Sequence, residues 1–183
     1  MKIAIDIQPL QTATSRNRGI GRYLREQLCA LLRSAQANEY VLLSSPYLDR
    51  PDLSGLPEQG WVECPVRARD GFVSTDVDRN REVDERFRFT SLLQLYLLQE
   101  RADAYHMTSP FEWSSFQPNA LPISPMVATV YDLIPFLFPW KYFDGAPEFI
   151  RAEHYYRLNE LRKATLLLTI SQCAKDDLVR LLG

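Results

Sequence analysis

A single carboxylate, Asp132, interrupts a long apolar stretch. Residues 127–139, in one-letter code VATVYDLIPFLFP, begin as a buried-strand pattern and continue as an apolar loop punctuated by proline. A carboxylate beside so much apolar surface costs free energy unless it is paired, solvated in a cleft or used in chemistry. Three roles stay open for Asp132. It could be a general base, a group that orients a substrate hydroxyl, or a cap that accepts backbone N–H bonds from the turn at residues 133–135.

A second candidate is the segment R-G-I-G-R-Y at residues 18–23, where a polar loop enters a predicted helix. Gly19 and Gly21 would let the backbone approach a ligand, and the helix amino end offers N–H groups to an anion. Arg22, with Arg16 and Arg18, adds charge suited to phosphate or carboxylate. The segment is neither G-x-G-x-x-G nor a P-loop, so a tight turn with solvated arginines is the alternative.

Two histidines and one serine complete the candidates. His106 ends a predicted strand and is either a satisfied, partly buried residue or a pocket residue. His154 lies in a predicted helix, where we expect a structural role. The two histidines lack metal-ligand spacing, so no metal is expected. Ser171 follows the last predicted strand and is a good N-cap for the last helix.

The elements that position these residues follow from apolar patterning. Short apolar runs predict strands at residues 2–7, 40–43, 61–66, 104–107, 126–131 and 166–170. Helical spacing predicts helices that begin near residues 19, 87, 147 and 172. Because the strands are continuous apolar runs alternating with helices, we predict an α/β, Rossmann-like parallel sheet with helices on both faces. Ligands of such sheets bind beyond the carboxyl ends of the strands, where the candidates lie.

Composition limits the class of protein. The 183 residues are 46% hydrophobic and 24% charged, with a formal net charge of -2. This length predicts one domain, residues 1–183, and the charge gives no reason to expect a nucleic-acid partner. Three scattered cysteines favour a reducing compartment, and no leader or membrane-spanning run is seen. We therefore expect a cytoplasmic protein, with peripheral contact on the inner membrane face left open.

Three segments are predicted to lie outside the regular elements. The charge-crowded residues 67–88 are either a mobile loop that leads into a helix or a solvated loop without function. Residues 111–125 are predicted to be irregular. The apolar loop 133–143 is either a patch for a partner or a loop folded on its own core; its large side chains are Phe136, Leu137, Phe138, Trp140, Tyr142 and Phe143.

Five motifs in order resemble the N-terminal half of the group 1 glycosyltransferases, which have two Rossmann-like domains in a GT-B fold. They are I-A-I-D, R-G-I-G-R-Y, H-M-T-S-P-F-E, T-V-Y-D-L-I-P-F-L-F-P and L-L-T-I-S-Q-C-A-K-D-D-L, and they span nearly the whole chain. The resemblance implies an acceptor-binding domain, with most of the donor site in a C-terminal domain that these residues do not include. It further implies a nucleotide-diphosphate sugar as donor substrate, no cofactor, and transfer that retains anomeric configuration.

The same resemblance implies roles for individual residues. Asp132 matches the family's H-D-L-I-P segment and would orient or deprotonate the acceptor. The glycine loop would face the donor diphosphate or the acceptor, and His106 would line the pocket. Tyr131 stands where many members have histidine, so an imidazole role does not carry over. Arg18 replaces a common glycine, which makes the loop stiffer and more cationic.

Two functional hypotheses follow. The first is a domain that binds a sugar or lipid-linked acceptor, with Gly19, Gly21, Arg22, His106, Tyr131 and Ser171 at the substrates and Asp132 as the catalytic candidate. The second is a non-catalytic Rossmann-like module that docks a partner protein or a glycan. A continuation of comparable length with an E-x7-E pattern would favour the enzyme. The isolated 183 residues are expected to bind nucleotide sugar weakly and to turn over nothing.

Overall fold

Six parallel strands form one sheet in the computed structural model, which describes residues 1–34, 37–45, 48–65, 97–98, 101–112 and 125–183. The strands are β1 (Lys2–Asp6), β2 (Glu39–Ser44), β3 (Trp61–Pro65), β4 (Ala104–Met107), β5 (Met126–Val130) and β6 (Leu166–Thr169). Their order is β3-β2-β1-β4-β5-β6, and each neighbouring pair is parallel. The predicted Rossmann-like α/β fold is confirmed, and each strand lies within one residue of its predicted bounds at either end.

The helices pack on both faces of this sheet. They are α1 (Gly19–Ser34), α2 (Ile134–Leu137), α3 (Pro139–Tyr142), α4 (Glu148–Glu160) and α5 (Gln172–Leu182), with single 3-10 turns at Gln8–Leu10 and Leu161–Lys163. Successive side chains of a strand point to opposite faces. Ile5 accordingly joins a core cluster with Leu24 and Leu28 of α1. Ala4 joins a second cluster with Leu158 of α4 and Leu178 of α5.

The apolar segment after β5 is more regular than its sequence predicts. We expected a loop through residue 143, but residues 134–137 and 139–142 form the one-turn helices α2 and α3. Each helix has proline in its first turn, where the missing N–H costs nothing and the fixed φ suits the helix. Pro147 was expected just inside its helix, and it is instead the N-cap residue of α4.

Strand β6 lies at one edge of the sheet. Among the described strands it pairs with β5 alone. Leu166 is 52% exposed and Ile170, just after the strand, is 48% exposed. This edge is therefore apolar and open in the part of the chain described.

Three predicted segments lie outside the described residues. They are the charged segment 67–88, the helix at 87–98 apart from residues 97–98, which are helical, and the irregular segment 111–125 apart from its ends.

Candidate functional site

The chain order reverses between β1 and β4, which are neighbours in the sheet. The connections that follow the two strands lead away from each other, and the crevice between them is the usual ligand position in open α/β sheets. Asp6 ends β1, and Thr108 directly follows β4. The Thr108 hydroxyl donates to the Asp6 carbonyl oxygen at 2.7 Å, so the two strand ends are joined inside the protein.

The glycine turn at the start of α1 folds back on the loop before it. The Gly21 N–H donates to the Ser15 carbonyl oxygen at 3.1 Å. A Cβ at Gly21 would lie 2.6 Å from the carbonyl oxygens of both Ser15 and Arg16. Gly19 differs, because a Cβ there would meet nothing within 4 Å. The protein's own backbone therefore requires glycine at position 21, while Gly19 borders open space.

A buried carboxylate, Glu112, holds this turn. Its Oε1 accepts hydrogen bonds from the hydroxyls of Thr12 at 2.6 Å, Ser15 at 3.0 Å and Thr14 at 3.3 Å. Its Oε2 accepts from Ser15 at 2.8 Å. The loop before α1 is thus tied to the segment after β4. Sequence reasoning missed Glu112, because only the tertiary fold brings these hydroxyls to it.

Arg157 of α4 fixes the backbone of the same segment. Its Nη1 donates to the carbonyl oxygens of Pro110 at 3.0 Å and Glu112 at 2.7 Å. Its Nη2 pairs with Glu153 Oε1 at 2.6 Å, and the Arg157 side chain is only 3% exposed. Breaking such a buried pair would leave an uncompensated charge, so Arg157 is held in place to bind the backbone of residues 110–112.

A cavity of about 160 Å³ opens beside these contacts at the carboxyl edge of the sheet. Its walls come from the start of α1, the segments after β4 and β5, and helices α2 and α4. They combine aromatic rings with hydroxyl and carboxylate groups. The residues that line it are Ile20, Ser109, Pro110, Phe111, Glu112, Tyr131, Asp132, Pro135, Phe136 and His154.

Tyr131 and Asp132 present different polar groups to the cavity. Tyr131 is 8% exposed, and its ring meets that of Tyr23 edge-on at 5.4 Å. Its hydroxyl has no hydrogen-bond partner among the described residues. Asp132 is exposed, and its Oδ1 accepts from the Ile134 N–H at 3.1 Å. The predicted cap contact therefore exists, and it engages one of the two carboxylate oxygens.

Behind the cavity lies a fully buried acid, Asp6. Its Oδ1 accepts from the Gln8 N–H at 2.9 Å, and its Oδ2 has no partner within the described ranges. Burial raises the pKa of Asp6 to about 7, and the nearby negative charge of Glu112 adds to the rise. Tyr131 lies in the field of this carboxyl group. The sequence pattern places Asp6 at the end of a strand and gives no sign of its burial as an acid, so it was not predicted as a site residue.

The remaining predicted site residues lie elsewhere. His106 is buried inside the sheet, where its Nε2 contacts Thr129 Oγ1 at 2.8 Å, and burial lowers its pKa to about 4. It does not line the cavity described above. Ser171 caps α5 by accepting from the Ala174 N–H at 3.1 Å, as predicted, and is also absent from the lining. Arg22 is exposed beside Gly21, near the cavity-lining Ile20.

Across the described residues, no three His, Cys, Asp or Glu side chains cluster as metal ligands would. None of the helices in this part of the chain has the length and apolar character needed to cross a membrane. A scan against protein-family models and a search of curated proteins each found no match to the chain.

Proposed function

We propose that this chain is the acceptor-binding N-terminal domain of a glycosyltransferase with a GT-B fold. The enzyme would transfer a sugar from a nucleotide-diphosphate sugar to a glycan or lipid-linked acceptor, with retention of configuration. The observation that carries the proposal is the cavity that joins the start of α1 to Tyr131 and Asp132 at the carboxyl edge of a parallel sheet. The five ordered motifs agree with this position.

Catalysis in this scheme depends on positioning and electrostatics rather than on a protein nucleophile. The acceptor hydroxyl would lie in the cavity, held for attack on the donor sugar. The amino end of α1, with the exposed Arg22 beside it, would favour the negative charge of the departing diphosphate. A second domain would supply the rest of the donor site across the cleft.

Asp132 is suited to orient the acceptor. The Ile134 N–H holds one carboxylate oxygen, so the group has a fixed direction while it remains open to solvent and ligand. The other oxygen can accept a hydrogen bond from the acceptor hydroxyl, or it can take the proton of that hydroxyl. The cap contact and the proposed role in transfer are therefore compatible.

The test is a transfer assay with radiolabelled UDP-glucose on the chain joined to a donor domain. Asp132→Asn should lower turnover by roughly 10²- to 10⁴-fold, as loss of a positioned acid or base does. Asp144→Asn, at another exposed carboxylate outside the cavity lining, is the matched control and should leave turnover unchanged. Unchanged turnover in Asp132→Asn would leave that residue only its cap role. Tight UDP-glucose binding by these 183 residues alone would contradict a donor site in a second domain.

The second candidate is the non-catalytic docking module, favoured by the aromatic side chains of α3 and the residue before it. Phe138, Trp140 and Tyr142 are 44%, 65% and 47% exposed. Phe136 and Phe143, which were predicted in the same patch, are instead buried in the core. The transfer assay separates the candidates, since a docking module would show no donor-dependent product with any joined domain.

A further inference from the structure

Asp6 is a buried acid with only half of its carboxyl group in use. Its Oδ1 accepts from the Gln8 N–H at 2.9 Å, whereas its Oδ2 is enclosed by protein and has no hydrogen-bond partner among the described residues. An ionised carboxylate in such surroundings costs far more free energy than a neutral carboxyl group, because solvent does not reach it. The assembled structure therefore favours the protonated form of Asp6.

Among the described residues, the charge that acts on this carboxyl group is negative. Burial raises the pKa of Asp6 to about 7, and the carboxylate of Glu112 after β4 adds to the rise, whereas Gln8 opposes it. Tyr105 in β4 and Tyr131 after β5 also lie in the field of Asp6. Burial raises the pKa of both tyrosines, so their hydroxyls keep their protons. Asp6 thus changes its charge near neutral pH while the two tyrosines stay neutral.

Hydrogen bonds connect Asp6 to the loop before α1 and to the segment after β4. The Gln8 N–H that binds Asp6 belongs to a 3-10 turn, and the Gln8 carbonyl oxygen accepts from the Thr12 N–H at 3.1 Å. The Thr12 hydroxyl in turn donates to Glu112 Oε1 at 2.6 Å. From the other side, the Thr108 hydroxyl binds the Asp6 carbonyl oxygen at 2.7 Å. Asp6 thus contacts both of the segments that the Glu112 hydrogen bonds join.

We propose that Asp6 is a positioning residue: its proton keeps the loop before α1 in contact with Glu112, and loss of that proton releases the loop and takes the candidate site apart. An ionised Asp6 gains hydration when residues 8–15 move away, and it also repels the Glu112 carboxylate. The pairing of Asp6 with Leu43 of β2 would stay formed. Any consequence for sugar transfer rests on the proposed function, whereas the opening itself does not.

Amide hydrogen exchange measures such local openings residue by residue. The reporters are the N–H groups of Gln8, Thr12 and Gly21, whose hydrogen bonds hold this loop. Their protection, corrected for the intrinsic pH dependence of exchange, should fall about tenfold per pH unit between about pH 4.5 and about 6.5, and level off above about pH 7. The control is the Thr165 N–H, which donates to the Met126 carbonyl oxygen at the amino end of β5 and should show constant protection.

Two variants separate the proton from the fold. Asp6→Asn keeps an acceptor for the Gln8 N–H and is neutral at every pH, so protection of the loop should stay constant where wild type loses roughly 10²-fold. Asp103→Asn is the matched control. Asp103 is an exposed carboxylate that accepts from the Lys2 N–H at 2.7 Å, at the other end of β1, and its replacement should leave the wild-type slope unchanged.

The ¹³Cγ resonance of Asp6 supplies a second measurement on the wild-type chain, and its titration midpoint should lie near pH 7. A midpoint near the ordinary value of 3.8 would overturn the inference, as would constant protection of the loop across the titration. An equal slope at Thr165 would mean that the opening is global, and would contradict it as well. Neither measurement uses a sugar. Absence of transfer would therefore leave this inference standing, and constant protection would leave the proposed function standing.

Discussion

Asp6 and His106 are two buried titratable residues whose pKa values move in opposite directions. Burial raises the pKa of Asp6 from 3.8 to about 7 and lowers that of His106 from 6.5 to about 4. Between pH 4 and 6.5, both groups are therefore neutral in the folded protein and charged in the unfolded chain. Asp6 then binds one more proton when folded, and His106 binds one fewer.

These two residues should have opposing effects on the pH dependence of stability. The contribution of Asp6 is fully present below pH 3.8 and is lost as pH rises toward 7. The contribution of His106 is fully present above pH 6.5 and is lost as pH falls toward 4. Each gives a slope of about 1.4 kcal/mol per pH unit, so the slopes cancel in the wild type. Relative to wild type, urea denaturation should show stability rising with pH in Asp6→Asn and falling in His106→Gln.

The double variant is the control, since with both opposing slopes removed it should recover the shape of the wild-type profile. Both replacements are uncharged and keep hydrogen-bonding atoms near Gln8 and Thr129. A parallel pH profile in wild type and both single variants would show that neither group titrates in this range.

The site residues differ in how far sequence could identify them. Asp132 was identifiable because a carboxylate in an apolar run is locally anomalous, whereas Tyr131 was named only because the resemblance places a histidine at that position in many members. Glu112 had no such signal, since its meaning depends on hydroxyls 97 or more residues away. Asp6 is the last residue of an apolar strand, and such a pattern does not indicate whether that residue is buried. Its burial depends on the tertiary fold.

At the scale of elements, the glycine turn offers a matched pair of substitutions. Gly21→Ala would place a methyl group against two backbone carbonyl oxygens and should cost roughly 1–3 kcal/mol of unfolding free energy. Gly19→Ala meets open space, so its effect should stay within about 0.5 kcal/mol. Chemical denaturation of both variants measures the difference. Equal losses would mean that the turn does not require the close approach at position 21.

Helices α2 and α3 differ from the loop that the sequence predicts at residues 133–143. Pro135 and Pro139 suggest a loop, although proline in the first turn is compatible with a helix. One-turn helices also carry too few residues to display a helical period. Tertiary packing, with Phe136 and Phe143 buried on either side, fixes their conformation instead.

At the scale of the whole molecule, the sheet was predictable because parallel strands are buried on both faces and so appear as continuous apolar runs. The strand order was not predicted. Order depends on crossover connections, and the connections between β3 and β5 are long and rich in charge or proline. The reversal between β1 and β4 that creates the crevice is therefore a property of the fold that local pattern does not contain.

The exposed β6 edge should make the chain weakly self-associating. An open apolar strand edge pairs readily with another, although a strand of four residues limits the gain. Leu166→Lys should weaken association severalfold in sedimentation velocity at high protein concentration. Thr165→Lys is the control, because it adds the same charge at an exposed position just before the strand. A strictly monomeric wild type would contradict the expectation.

The Glu112 contacts also dictate an order of assembly. Thr12 and Ser15 lie near the beginning of the chain. Glu112, which accepts the hydrogen bonds of their hydroxyls, follows 100 and 97 residues later. Long-range contacts of this kind form late, since the chain between them must first be brought into place. We therefore expect the loop before α1 to take its final form late in folding, once residue 112 has been brought to it. Because the Thr108 hydroxyl also joins the ends of β1 and β4, the completion of the candidate site is expected to depend on the pairing of these two strands.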